Sequence, residues 1–437
     1  MAELDLVVVG AGPAGIAAAV SASEAGARVA VVDRGFGPGG QIWRPESARA
    51  KPERAQAWLE RFHAASPAIE LHARHAVVDA ELDDSGAVEL VCTGPEGART
   101  IRARKLILAT GARERFLPFP GWTDGHVLGA GAIQALAKQG LALEGRRIVL
   151  AGTGPLLLAV AADLLERGVE IVSIVEQAPR KAVLGLGARV LAQASKRAQA
   201  AALTRRLARV DRLFSAWPVR TEAGRVTIAR RGPLGRTSEV ERACDLLACG
   251  FGLVPETRLA RLLELDTRAS DGGIAVDDEL RSSKPGVFAA GECCGIGGVD
   301  VALAEGVIAG SLAAGVEPPA GLVATRTRER RFAAHLDQVF ALRPELLELA
   351  EPATLVCRCE GVRYAELLAL GPQPPSARLA KLHTRMGMGA CQGRVCGPAS
   401  AALFGWTPDR PRPPLSPIPL RHYCPPTPRD TPWNSAT

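Results

Sequence analysis

A chain of 437 residues, 47% hydrophobic and 23% charged, has the length for about three globular domains and enough apolar residues to give each a core. The net charge of +7 is mild, and arginines such as Arg44, Arg205 and Arg330 are dispersed, which argues against a nucleic-acid binder and for an ordinary solvated surface. The longest apolar runs, near 148–160, are short and broken by glycine and proline, so no transmembrane segment is expected. No basic leader precedes the first strand, so the expected address is the cytoplasm, with the ten cysteines reduced.

In chain order, Leu6–Val9 is a short continuous apolar run of the kind that forms a buried parallel strand. Gly10-Ala-Gly12-Pro13-Ala14-Gly15 follows, then an alanine-rich helix to about Ala25. A second strand, Arg28–Val32, ends in Asp33. A hairpin turn is expected at Gly94–Gly97, between strands at Val88–Thr93 and Thr100–Ala103, with a further buried strand at Leu106–Ala109. The pattern restarts at Arg147–Ala151, with Gly152-Thr-Gly154-Pro, a helix to about Arg167, and a strand Glu170–Val175 ending in Glu176. Residues 240–257 return the chain to the first domain. Gly286–Gly310 reads as strand, glycine-rich turn and helix. A charged helical connector, the cysteine region and a proline-rich tail from Pro408 follow.

The first glycine loop follows a strand, opens a helix and precedes an acid, the context that makes GxGxxG informative. Gly10 permits the tight turn, Gly12 lets the backbone approach a pyrophosphate, and Gly15 lets helix and strand pack closely. The helix N-terminus offers unpaired N–H groups to phosphates, and Asp33 would accept from ribose hydroxyls. The second loop has Gly152 and Gly154 but Leu157 at the third position, so looser or different packing is expected there. Glu176 suits a ribose 2′-hydroxyl. The residues leave open whether this loop binds NAD(H), another adenine nucleotide or nothing.

Cys357 and Cys359 form CxC, and Cys391 and Cys396 form CxxxxC. Four such thiolates can hold a [2Fe–2S] cluster or a structural zinc, and the lack of CxxC knuckles favours iron–sulfur. The glycine-rich approach to Cys391 would supply N–H groups to the sulfurs. Cys244 and Cys249 read as core residues, and Cys293–Cys294 as packing. Cys92 and Cys424 carry no metal assignment. His383 reads as a surface or packing residue, and His126 has no evident partner. No general base is assigned.

Two nested nucleotide units suggest a flavoprotein. The first loop, Ala109–Gly111 and Val287–Gly310 look like the three flavin-contacting segments of the two-dinucleotide-binding-domain disulfide reductase superfamily. The resemblance implies FAD contacts from Gly10, Gly12, Pro13, Ala14, Gly15, Asp33, Arg34, Thr110, Gly111, Gly291 and Glu292, the last standing where aspartate is more usual. The superfamily's redox CxxC or CxxxxC is absent beside either loop, so thiol–disulfide exchange is not the expected reaction. The cysteine region resembles the bacterioferritin-associated-ferredoxin-like [2Fe–2S] domain. With GGQIWR (Gly39–Arg44), which adds Gly40 and Gln41, these motifs together resemble the flavin-carrying A subunits of opine oxidases. They are similar also to the alpha subunits of D-hydroxyproline and related proline dehydrogenases and to the B subunits of hydrogen cyanide synthases.

The implied fold class is α/β. An FAD-binding domain is expected over 1–120 and 251–325, with a second Rossmann-like nucleotide domain over 121–250 nested within it. A connector (326–352), a small helical [2Fe–2S] domain (353–405) and a proline-rich tail (406–437) complete the chain. The implied function is electron transfer through FAD and the cluster. The electrons would come from a D-amino-acid-oxidase-like flavoprotein subunit that oxidises a C–N bond. A further candidate partner is a small ferredoxin-like subunit. The assembly would be cytoplasmic or peripheral at the inner membrane. Two other readings stand beside it: a self-contained NAD(P)H-dependent reductase, and a non-catalytic redox-sensing or binding protein.

Overall fold

In the computed structural model, which describes residues 4–44, 52–187, 190, 194–232, 234–371 and 376–422, the chain divides into two units. The first comprises Met1–Gly111, Pro255–Arg326 and Arg410–Thr437, and the second Ala112–Val254 and Thr327–Asp409. Cys424 lies outside the described residues.

In the first unit, β1 (Leu4–Val9) leads into α1 (Pro13–Glu24) and β2 (Val29–Asp33). β3 (Ile69–Ala73), β4 (Ala76–Leu82), β5 (Val88–Gly94) and β6 (Gly97–Leu108) follow. The sheet runs β3-β2-β1-β6-β5-β4, and the strand Val287–Ala289 pairs with β6. β1 is parallel to both of its neighbours. It is therefore covered on both faces, which explains why its apolar run does not alternate. The strands anticipated at Thr100–Ala103 and Leu106–Ala109 are one strand, β6, whose first half pairs antiparallel with β5 and whose second half pairs parallel with β1.

The helix Gly298–Ala313 packs on α1 at very close range. A Cβ added at Gly306 would lie 2.3 Å from the Ala14 carbonyl oxygen, and one at Gly310 would lie 2.2 Å from that of Ala18. Only glycine lets the two backbones meet this way. Leu415, on the proline-rich tail, donates its N–H to the Val78 carbonyl at 2.8 Å and is buried.

The second unit repeats the plan with β7 (Arg147–Gly152), α2 (Pro155–Leu165), β8 (Glu170–Glu176) and β9 (Leu246–Gly250). In its parallel sheet β8, β7 and β9 are adjacent, flanked by Asp211–Phe214 and Val127–Gly129. A three-stranded antiparallel sheet, residues 216–243, lies in the same unit. Of the looser or different packing expected at Leu157, it is the different one that the structure shows. Leu157 is fully buried, and its Cδ2 lies 3.2 Å from where a Gly250 Cβ would stand, so the missing side chain on β9 makes room for the extra one on α2. His126 is partnered, contrary to expectation: its Nε2 is 2.9 Å from Thr221 Oγ1. Cys244 and Cys249 are both buried in the core around Trp217 and Phe251.

The cysteine region comprises a short hairpin, Leu355–Cys357 with Val362–Arg363, and three helices, Tyr364–Leu368, Ala377–Thr384 and Cys396–Phe404. Val356, Leu367, Ala380, Met386 and Trp406 form its core.

Candidate functional site

The first loop turns where β1 ends. Gly10 has φ +111°, and a Cβ there would stand 2.2 Å from the Ala109 carbonyl oxygen. A Cβ on Gly15 would lie 1.8 Å from the Gly10 carbonyl oxygen. Gly12 differs from both, because its missing Cβ points into open space with nothing within 4 Å, and the same holds at Gly111. The backbone is thus bare on its open side and tightly packed on its inner side, as a loop approached by a pyrophosphate must be. Gly12 caps α1 without a side-chain hydrogen bond, and Pro13 opens the helix. Its first N–H groups therefore have no side-chain acceptor and suit phosphate oxygens.

The other flavin-segment residues converge on this loop. Gly39 donates to the Ala11 carbonyl at 2.8 Å, and Gly40, at φ +60°, sits so close that a Cβ would be 2.8 Å from Gly12 Cα. Ala109 donates to Val9, which brings Thr110 and Gly111 alongside, and Thr110 Oγ1 donates to the Glu256 carbonyl at 2.6 Å. Gly291, at φ +83°, lies against Ala14. Glu292 follows in a short 3₁₀ turn and is half-buried. Asp33 accepts from Ala11 N at 2.6 Å through one oxygen and from Gly35 N at 2.5 Å through the other. Each oxygen keeps a lone pair for a ribose hydroxyl. Arg34 and Gln41 are exposed, and Gln41 accepts from Arg44 at 2.8 Å.

One residue of this site gave no reading in the sequence. Glu305, on the Gly298–Ala313 helix, is completely buried. It accepts the Gly291 N–H at 2.9 Å and pairs with Arg326 Nε at 3.0 Å. The available signal was an acid past the first turn of a helix that, from Val301 to Ala313, is otherwise apolar but for Ser311, since such a helix is buried and its acid needs partners.

The second loop has a different character. Both Glu176 oxygens accept backbone N–H groups, Gly154 at 2.8 Å and Ala178 at 2.8 Å. Burial pushes its carboxyl up to about 7, even against those bonds. A carboxyl with a raised folded pKa holds its proton better folded than unfolded. Its penalty is therefore absent below 4.5, grows as pH rises towards about 7 and is constant above. Glu176→Gln is expected to gain stability relative to the parent over that window, by about 3 kcal/mol at its upper end. Urea midpoints at pH 5 and pH 8 would test this, and an equal difference at both would refute it. Beside Glu176, Gln177 is fully buried, and its Nε2 donates to Thr153 Oγ1 at 2.9 Å and to the carbonyl of Ala341 at 3.0 Å.

Cys357, Cys359, Cys391 and Cys396 come together. Cys357 and Cys396 lie near enough to shift each other's thiols, and Cys359 is influenced by both Cys391 and Cys357. Donation from the Cys396 thiol, and then from the N–H groups of Gly387, Glu360 and Cys359, holds Cys357 at about 5 despite its burial. Gly389 has no room for a side chain, since a Cβ would stand 2.3 Å from that of Cys359. Cys396 opens the helix Cys396–Phe404, and Trp122 Nε1 anchors the cysteine strand by donating to the Leu355 carbonyl at 2.6 Å. Among the described residues no cysteine is in a disulfide, and no three His, Cys, Asp or Glu side chains are placed to hold a single metal ion.

A doubly wound domain with a bare glycine cradle at the end of its first strand, joined by three further segments at the same loop, defines a flavoprotein oxidoreductase that uses FAD. The chain belongs to the pyridine nucleotide-disulphide oxidoreductase family, whose model matches residues 4–306. It is 34% identical to the A subunit of the opine oxidase of Rhizobium meliloti, over 96% of this chain and 98% of that one. It is 30% identical to the HcnB subunit of the hydrogen cyanide synthase of Pseudomonas protegens, over 97% and 98%. Its fold is shared with an L-proline dehydrogenase from P. horikoshii, at a TM-score of 0.68 and 17% identity, over 97% of this chain and 80% of that one. Cys293 and Cys294 lie in the core of the first unit with their sulfurs 4.0 Å apart.

Proposed function

We propose that the chain is the electron-transfer subunit of a heteromeric amine dehydrogenase of the opine or D-hydroxyproline type, carrying both FAD and a [2Fe–2S] cluster. One observation carries the reading: two distant cysteine motifs, CxC and CxxxxC, gather within one small region of a chain that also builds an FAD cradle. Four thiolates without the CxxC knuckles usual for structural zinc suit a [2Fe–2S] cluster. FAD takes electrons in pairs and releases them singly, and a [2Fe–2S] cluster carries one at a time.

In this reading the amides opening α1 hold the pyrophosphate and Gly12 lets it approach. Pro13, Ala14 and Gly15 keep the helix start against β1. Asp33 takes the ribose, and Arg34, Gly40 and Gln41 border the adenosine end. Thr110, Gly111, Gly291 and Glu292 border the flavin end. The relatives are named as subunits, which supports a heteromeric assembly. The partner is a D-amino-acid-oxidase-like flavoprotein that oxidises the C–N bond. A small ferredoxin-like subunit completes the assembly, in the cytoplasm or at the inner-membrane surface. No described helix is long and apolar enough to cross a membrane.

The test is iron content and electron paramagnetic resonance of the dithionite-reduced chain, alongside Cys391→Ser. The parent is expected to carry about two irons and the reduced-cluster signal. The variant should lose both and keep its FAD. Zinc in place of iron, or a signal that survives the substitution, would sink the proposal.

A further inference from the structure

The family is named for pyridine nucleotide, yet the second glycine loop is already filled by its own chain. A dinucleotide bound there would lay its pyrophosphate over Gly152–Gly154 and its adenosine ribose at the end of β8. Both places are taken. Phe340 lies over the loop, its Cγ 3.9 Å from where a Gly154 Cβ would stand. The Phe340 carbonyl accepts from Thr153 Oγ1 at 3.3 Å and from Gln177 Nε2 at 3.4 Å, and the Ala341 carbonyl accepts from Gln177 at 3.0 Å. Arg343 N–H returns a bond to Gln177 Oε1 at 3.1 Å. The Gln177 amide is thus satisfied on both sides by one segment, and its full burial makes that pairing costly to break.

Nor is the segment loosely held. Leu342 packs on the Trp217 core and Leu346 is buried within it. Arg343 lies over the Trp217 ring at 5.3 Å and pairs with Glu345 at 2.9 Å. Meanwhile Glu176, the acid suited to a ribose, is buried as well as bonded to its own backbone.

We propose that Phe340–Arg343 acts as an internal ligand of the second loop and, with Gln177, determines electron-donor specificity by excluding pyridine nucleotides. The inference deepens the electron-transfer reading above, since a chain closed to NADH must receive its electrons from another protein.

NADH and NADPH titrations of the FAD-loaded full chain, followed by nicotinamide fluorescence and by anaerobic bleaching of the flavin, test it. The parent should show neither saturable binding nor bleaching. Phe340→Ala, and Gln177→Ala with Phe340→Ala, should acquire saturable NADH binding, with a Kd at least about tenfold below the highest NADH concentration at which the parent shows none. Each variant is accepted only with an unchanged FAD content, and the single substitution serves if the double one does not fold. Saturable NADH binding by the parent would overturn the proposal. So would FAD-replete variants that gain no affinity, because the segment would then not be what excludes the nucleotide. The cluster signal is read in the same samples, so loss of the iron–sulfur reading is distinguished from loss of this one.

Discussion

Gly15→Ala is expected to yield a chain without FAD. The added methyl carbon would stand 1.8 Å from the Gly10 carbonyl oxygen and 3.4 Å from Ala109 Cβ. No rotamer relieves a clash of Cβ with backbone, so α1 must move off β1. Overpacking of this kind costs about 1–3 kcal/mol where side chains can yield, and more here, where a carbonyl must. The shift would also turn the first amides of α1 away from the pyrophosphate position. Gly12→Ala is the control, because its methyl would enter open space. That variant should fold with an unchanged melting temperature and bind FAD weakly, the loss being confined to the ligand. Absorbance near the flavin band relative to protein, with the melting temperature of each variant, separates the two effects. A yellow, fully loaded Gly15→Ala chain would mean that the loop does not hold FAD as described.

Glu305→Ala should be the most damaging substitution outside the glycine loop. It would remove the buried acceptor of the Gly291 N–H and the nearer of the two counter-charges of Arg326, which is only 15% exposed and would keep just the exposed Asp278 at 3.6 Å. Removing one partner of a buried pair costs about 3–5 kcal/mol, because the other charge stays where water cannot reach it. Glu305→Gln keeps an acceptor for one of the two donors and should lose less. The order of melting temperatures is therefore parent, Gln, Ala, and FAD retention should fall in the same order as the turn at Gly291 loosens. Equal melting temperatures for all three would show that the buried pair contributes nothing.

How far the sequence could be read depended on how local each signal is. The first loop was legible because its strand, glycines, helix and acid lie within thirty-three residues of the start, each set by its own neighbours. The hairpin at Gly94–Gly97 was legible for the same reason. The four cysteines were legible as motifs, and the flavin segments through resemblance, since nothing local in Ala109–Gly111 or Gly291–Glu292 says which loop they join. What escaped depends on residues far apart in the chain. Leu157 read as a defect in a glycine pattern, because the room for it is made at Gly250 on another strand. The partner of His126 is a threonine on a strand of the antiparallel sheet, Thr221. The filling of the second loop by Phe340–Arg343 has no local sign, since the loop keeps its first two glycines and its acid, and the segment that closes it is an ordinary stretch after a charged helix.

The glycine contacts between α1 and the helix Gly298–Ala313 also set a timetable for the chain's own synthesis. α1 leaves the ribosome first, but Gly306 and Gly310, the residues it closes upon, emerge only after the Ala112–Val254 part of the second unit has been made. Until then the small-residue face of α1 and one flank of the FAD loop are bare, and the Gly291 turn that Glu305 pins does not exist. Vectorial folding therefore cannot complete the flavin unit from its N-terminal end. Cofactor capture is a late event in the life of the nascent chain, and the interval before it is when the exposed alanine face of α1 depends most on the cell's folding machinery.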